Sequence, residues 1–85
     1  MKPGDLVRTK TRYEILWREA SSPQGHKDFY VQHTELMLVA EGPWTEKWSK
    51  PETGARSDTF VRVLHPVHGL IRGSIRCLEV VNESG

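Results

Sequence analysis

Phe60–Val81 reads FVRVLHPVHGLIRGSIRCLEVV, and this stretch decides the fold. Val61 and Val63 fall on one face of an extended chain and Arg62 on the other, the alternation of a half-buried strand. Pro66 has no amide hydrogen to give to a sheet and Gly69 tolerates a left-handed backbone, so His65-Pro66-Val67-His68-Gly69 reads as a tight connection to a second strand at Leu70-Ile71. A pause at Arg72-Gly73-Ser74 precedes a closing apolar run, Leu78 to Val81. A short hairpin followed by one more short strand is the tail of a small barrel.

Working outward, Met1 to Lys10 opens with Pro3-Gly4-Asp5 as turn residues and a β-prone run from Leu6 to Thr9. Tyr13, Ile15 and Trp17 alternate as in a strand, while Tyr13, Leu16, Trp17 and Ala20 also fit one face of a helix. Ser21 to Gly25 is a turn cluster, and Asp28 to Thr34 alternates through Phe29, Val31 and His33. Two β-rich runs about a turn favour a hairpin between about residues 12 and 34. Glu35 to Glu41 is short and mostly apolar, as expected for a central strand buried on much of both faces. Gly42 to Asp58 holds two prolines and two glycines with no sustained period, and is expected to be a long loop, functional or mobile.

At 85 residues the chain is expected to form one domain over 1–81, with a flexible tail at 82–85. Strands are expected near 5–10, 35–41, 60–65, 70–73 and 78–81, an all-β small barrel of about five strands with an extra hairpin after the first. Val7, Leu38, Val61, Val63, Ile75, Leu78 and Val80 are the expected core. Twelve basic residues against eleven acidic ones leave a net charge of +1, so any electrostatic role must be a local patch. The single cysteine, Cys77, forms no internal disulfide, and no basic-then-apolar leader opens the sequence; a cytoplasmic, unprocessed chain is the expectation.

Gly4-Asp5-Leu6-Val7-Arg8, the apolar run ending near Glu41, Val61-Arg62-Val63-Leu64, the glycine-containing turn and Leu78-Glu79-Val80-Val81 together resemble the SH3-like barrels. The opening Lys2-Pro3-Gly4-Asp5-Leu6-Val7 is similar to the first strand of short barrel proteins common in bacteriophage genomes. The resemblance implies an SH3-like fold, and a setting in the host cytoplasm or a virion. The tyrosine-rich first loop and paired tryptophan of the proline-binding members have no match, so that specificity is not implied.

His65 and His68, with His33 and Cys77, offer ligand types for zinc, but no second close pair accompanies them, and two turn histidines are the simpler reading. No catalytic constellation, phosphate-cradling loop or nucleophile elbow is present in the sequence, so neither enzymatic activity nor a cofactor or metal is expected. Trp44 and Trp48, with Phe60 beyond them, read either as protein-contact anchors or as a plug over the barrel's open end. Trp17 reads as packing. Arg8, Lys10, Arg62, Arg72 and Arg76 lie near the two ends of the chain, and barrel closure would gather them into one basic face, an alternative site for nucleic acid. The leading expectation is a non-enzymatic protein-interaction or assembly module with a protein partner or self-association, and no membrane partner.

Overall fold

A computed structural model describes residues 1–19, 25–52 and 54–81. Seven strands, β1 (Leu6–Thr9), β2 (Tyr13–Glu19), β3 (His26–Gln32), β4 (Met37–Lys50), β5 (Gly54–His65), β6 (Gly69–Ser74) and β7 (Leu78–Val80), form one antiparallel sheet in the order β3-β2-β6-β5-β4-β1-β7. The sheet curls into a half-barrel. The all-β expectation therefore holds, with seven strands in the sheet in place of a five-stranded barrel. The expected hairpin is β2–β3, paired from Tyr13↔Gln32 to Glu19↔His26, so Tyr13–Glu19 is strand and not helix. Residues 20–24, which include most of the expected turn cluster at 21–25, and the expected tail 82–85 lie outside the described residues.

Alternation sorts each strand into a concave and a convex side. Val7, Leu16, Phe29, Val31, Met37, Val39, Val61, Val63, Ile71 and Leu78 meet on the concave side as the core, with Ile75 and Val80 packed partly against it. Leu38 is the exception to the sequence expectation. Met37 and Val39 take the inward positions of β4, so Leu38 faces solvent; a one-residue error in register exchanges the two faces of a strand. Nor is β4 central: β5 occupies the middle of the order, with three strands on each side.

Residues 42–58 are the largest departure from expectation. β4 and β5 continue through them as a hairpin, paired from Trp44↔Phe60 out to Lys50↔Gly54. Between Val39↔Val63 and Trp44↔Phe60, β4 runs through two extra residues, and these bulges bend it away from the barrel. Gly42 sits at the bend with φ +102°, and a Cβ there would approach the Phe60 carbonyl oxygen to 3.0 Å and the Val61 Cα to 3.2 Å. Beyond Trp44↔Phe60 the ribbon has no third strand among the described residues: β1 pairs with β4 only at Met37 and Leu38, and β6 pairs with β5 only from Phe60 to His65. This arm helps stretch the molecule to 43 Å along its longest axis.

A 3-10 turn at Ile75–Cys77 carries the chain from β6 to β7, with the Ser74 hydroxyl accepting from the Arg76 amide at 3.2 Å. β7 then pairs with β1 at Val7↔Val80, Arg8↔Glu79 and Thr9↔Leu78, which brings the first and last strands side by side.

Candidate interaction surface

The convex side of the sheet carries three groups of side chains, and the first holds the arm to the body. Arg72 projects outward from β6 yet is only 8% exposed. Its guanidinium lies 4.6 Å from the Phe60 ring centre, 4.9 Å from Trp17 and 5.3 Å from Trp44. Three aromatic walls around one cation combine cation–π attraction with burial of its stem. Nη1 donates to Glu19 and Nη2 to Glu46, each at 2.8 Å, while Nε has no partner among the described residues. Glu46 also accepts from Trp44 Nε1 at 2.8 Å. That bond, and then the Arg72 cation, hold the Glu46 carboxyl below the usual glutamate range against the opposing effect of burial. Burial works to raise Asp58 as well, but bonds from Arg76, Ser74 and the Thr59 amide outweigh it and lower it.

This arrangement divides the tryptophans singled out in the sequence. Phe60 is buried and Trp44 half-buried within the cage, whereas Trp48, farther along the arm and opposite Arg56, is 39% exposed. Four of the five residues of the expected basic face are matched by carboxylates: Arg8 by Glu79, Arg62 by Glu41, Arg72 by Glu19 and Glu46, and Arg76 by Asp58. Lys10 enters no ion pair among the described residues. The arginines are thus spread along the sheet as neutralised pairs.

Sequence reading missed the second group, a row of leucines. Leu38 pairs with Leu64 and Leu64 with Leu70, which sets three leucines side by side across β4, β5 and β6 at 44%, 48% and 45% exposure. Leu36 lies before Leu38 and is also exposed. The signal was present in the sequence as the outward phase of the same alternation that buries Met37, Val39, Val63 and Ile71.

The third group lies on the β2–β3 hairpin. Tyr13 and Tyr30 are 55% and 66% exposed, with ring centres 5.9 Å apart and planes inclined at 59°. With Arg12 and Gln32 they line an open cleft of about 480 Å³.

The histidines have structural partners. His65 is buried, and its Nδ1 accepts from the Val67 and His68 amides at 3.0 and 3.1 Å. Its proton therefore sits on Nε2, which donates to Glu35 at 3.0 Å. The bond from the Gln32 amide, with help from His65, lowers the Glu35 carboxyl despite its partial burial. His68 stacks on His65 at 4.4 Å, and His33 Nδ1 contacts the Thr9 carbonyl at 2.6 Å. Among the described residues no cluster of three His, Cys, Asp or Glu side chains is placed to hold a metal ion. Burial and the nearby Glu14 carboxylate push the half-buried Cys77 thiol up, away from the reactive thiolate. No helix among the described residues is long and apolar enough to cross a membrane.

No family model, curated protein or solved structure matches this chain.

Proposed function

We propose that the protein is a non-enzymatic protein-interaction or assembly module on an SH3-like barrel, with the leucine row Leu38–Leu64–Leu70 at the centre of its contact surface. The observation that carries this reading is the in-register exposure of the three leucines. Exposed leucines scattered singly are ordinary, but a row across adjacent strands presents one continuous apolar strip about 10 Å wide between its outer members. Each such side chain gains about 25 cal/mol for every Å² of apolar surface a partner covers. In this reading the contact surface lies away from Trp44 and Phe60, whose rings already pack against Arg72.

A second copy of the chain is the first partner to consider. One step from the row lies the Arg62–Glu41 pair, with Glu41 exposed and Arg62 half-buried. A two-fold packing of two strips would set that pair against its own reverse, so the rim is complementary to itself. The resemblance to bacteriophage barrel proteins supplies the proposed setting, an accessory or virion-associated role in a host cytoplasm. The basic-face alternative is weaker because four of its five cations are already paired.

Sedimentation velocity over a concentration series tests the reading, comparing wild type with Leu64→Lys. The substitution places a charge at the middle of an exposed row, so it is expected to leave the melting midpoint in place and abolish concentration-dependent association. Affinity capture by both forms extends the test to a different protein partner. If wild type stays monomeric throughout and both forms capture the same proteins, the reading fails.

A further inference from the structure

The cleft on the β2–β3 hairpin lies on different strands from the leucine row and carries different chemistry. Tyr13 faces Gln32 and Ile15 faces Tyr30 across the two strands, so the two tyrosines meet on the diagonal, with exposed Ile15 beside them on β2. An aromatic pair on a hairpin braces its strands. A brace alone, however, does not account for how open these rings are. Neither tyrosine hydroxyl has a hydrogen-bond partner among the described residues, and both residues are more than half exposed.

Cations and carboxylates both lie around the cleft, and they differ in what they are bound to. Arg12 lines the cleft, Lys10 precedes it by two residues, and neither enters an ion pair among the described residues. Of the nearby carboxylates, Glu14 accepts a bond from the Thr11 hydroxyl at 2.8 Å, and Glu35 is held by the Gln32 main-chain amide at 2.6 Å and by His65 at 3.0 Å. This contrasts with Arg8, Arg62, Arg72 and Arg76, each matched by a carboxylate. Arg12, unpaired among the described residues, thus lies beside two exposed aromatic rings, with Gln32 facing Tyr13 across the strands.

We infer that this cleft binds one or two nucleotides of a single-stranded nucleic acid, with bases stacked on Tyr13 and Tyr30 and a phosphate held by Arg12. Aromatic faces accept any unpaired base, cations track the phosphates, and an amide can both donate to and accept from a base edge. Duplex bases are already stacked and offer no free face. An apolar protein segment would satisfy the rings but leave Arg12 and Lys10 without counter-charges.

The test is fluorescence anisotropy with labelled single-stranded DNA and RNA oligonucleotides, the duplex of the same sequence, and an acidic peptide. The single strands are expected to bind, and either Tyr13→Ala or Tyr30→Ala to weaken binding about tenfold. Arg12→Ala is expected to reduce the slope of log K against log salt by about 0.7, the share of one phosphate on a single strand. Circular dichroism and melting of each variant separate lost binding from lost folding, and Tyr30→Leu keeps an apolar brace while removing the stacking face. Preference between the DNA and RNA strands identifies the sugar. Three results would overturn the inference: no binding of either strand, unchanged binding by the folded tyrosine variants, or equally tight binding of the duplex or the acidic peptide. Leu64→Lys is expected to bind the oligonucleotides normally, so this site and the leucine row succeed or fail separately.

Discussion

The Arg72 guanidinium rests 4.6 Å from the centre of the Phe60 ring, on the solvent side of a strand whose neighbouring Ile71 is in the core. The sheet therefore has a second packed layer, small and built around a cation. Trp17 comes from β2, Phe60 from β5, Trp44 from β4 and Arg72 from β6, so four strands are tied together at the base of the arm. A two-stranded ribbon alone is marginal in water, and this layer anchors the near end of one.

Arg72→Lys is expected to destabilise the protein although charge is retained. Lysine has neither the planar face that packs between aromatic rings nor the fork that reaches Glu19 and Glu46 together. A loss of about 2 kcal/mol is expected from the cation–π and packing terms, with the half-exposed glutamates contributing little. In a domain of this size that lowers the melting midpoint by about 10 °C. An unchanged midpoint would show that the cage contributes nothing to stability.

Gly73→Ala tests the contact beneath that layer. A Cβ at Gly73 would lie 2.8 Å from the Leu16 Cγ, and Leu16 is fully buried, so its branch point has nowhere to retreat. Overpacking of this kind costs about 1–3 kcal/mol. Thermal melting checks the cost, and pairing the change with Leu16→Ala, which makes room for the new methyl, should recover part of it. Simple addition of the two losses would mean that Gly73 and Leu16 do not compete for space.

The concave side of the fold was legible because apolar alternation reports burial directly. Val7, Val61, Val63 and Leu78 were readable as core, and the turn at His65-Pro66-Val67-His68-Gly69 marked the β5–β6 hairpin. Leu38 misled because Leu36, Met37, Leu38 and Val39 are consecutive apolar residues, a run that gives no phase. The arm was hidden because its strands bury almost nothing. Its signal lay elsewhere, in Pro51 and Gly54 at the turn, Gly54 having φ +74°, and in the alternation of Trp44, Glu46 and Trp48 with Thr45, Lys47 and Ser49. Neither the Arg72 cage nor the leucine row follows from any one segment. Both arise from the register of strands distant in sequence.

The two tryptophans of the arm should separate cleanly. Trp44→Ala removes a half-buried ring that packs beside Phe60 and Arg72 and donates to Glu46, with an expected cost of about 2 kcal/mol. Trp48→Ala removes an exposed ring, and is expected to stay within about 0.5 kcal/mol of wild type. Denaturant unfolding of both single variants measures the difference. Equal losses would mean that the outer arm packs more tightly than its exposure indicates.

Acid should weaken the fold through three separate carboxylates, one of them in the Arg72 cage. Glu35, Glu46 and Asp58 all have carboxyls lowered in the folded state relative to their ordinary values of 4.5, 4.5 and 3.8. A lowered carboxyl contributes stability that is fully present above its unfolded value and is lost as pH falls through its folded value. Stability is therefore expected to hold steady above about pH 5 as far as these three groups are concerned, and to fall on acidification below about pH 4.5. Glu46→Gln isolates one contribution, because the titrations of Glu35, Asp58 and the histidines are common to both proteins and largely cancel in the difference. At neutral pH the variant should melt below wild type, having lost the charged partner of Arg72 and the carboxylate acceptor for Trp44 Nε1. As pH falls through the folded Glu46 value the two melting curves should converge, since wild-type Glu46 then carries a neutral carboxyl too. A constant offset from neutral to strongly acidic pH would show that Glu46 acts through its shape and not through its charge.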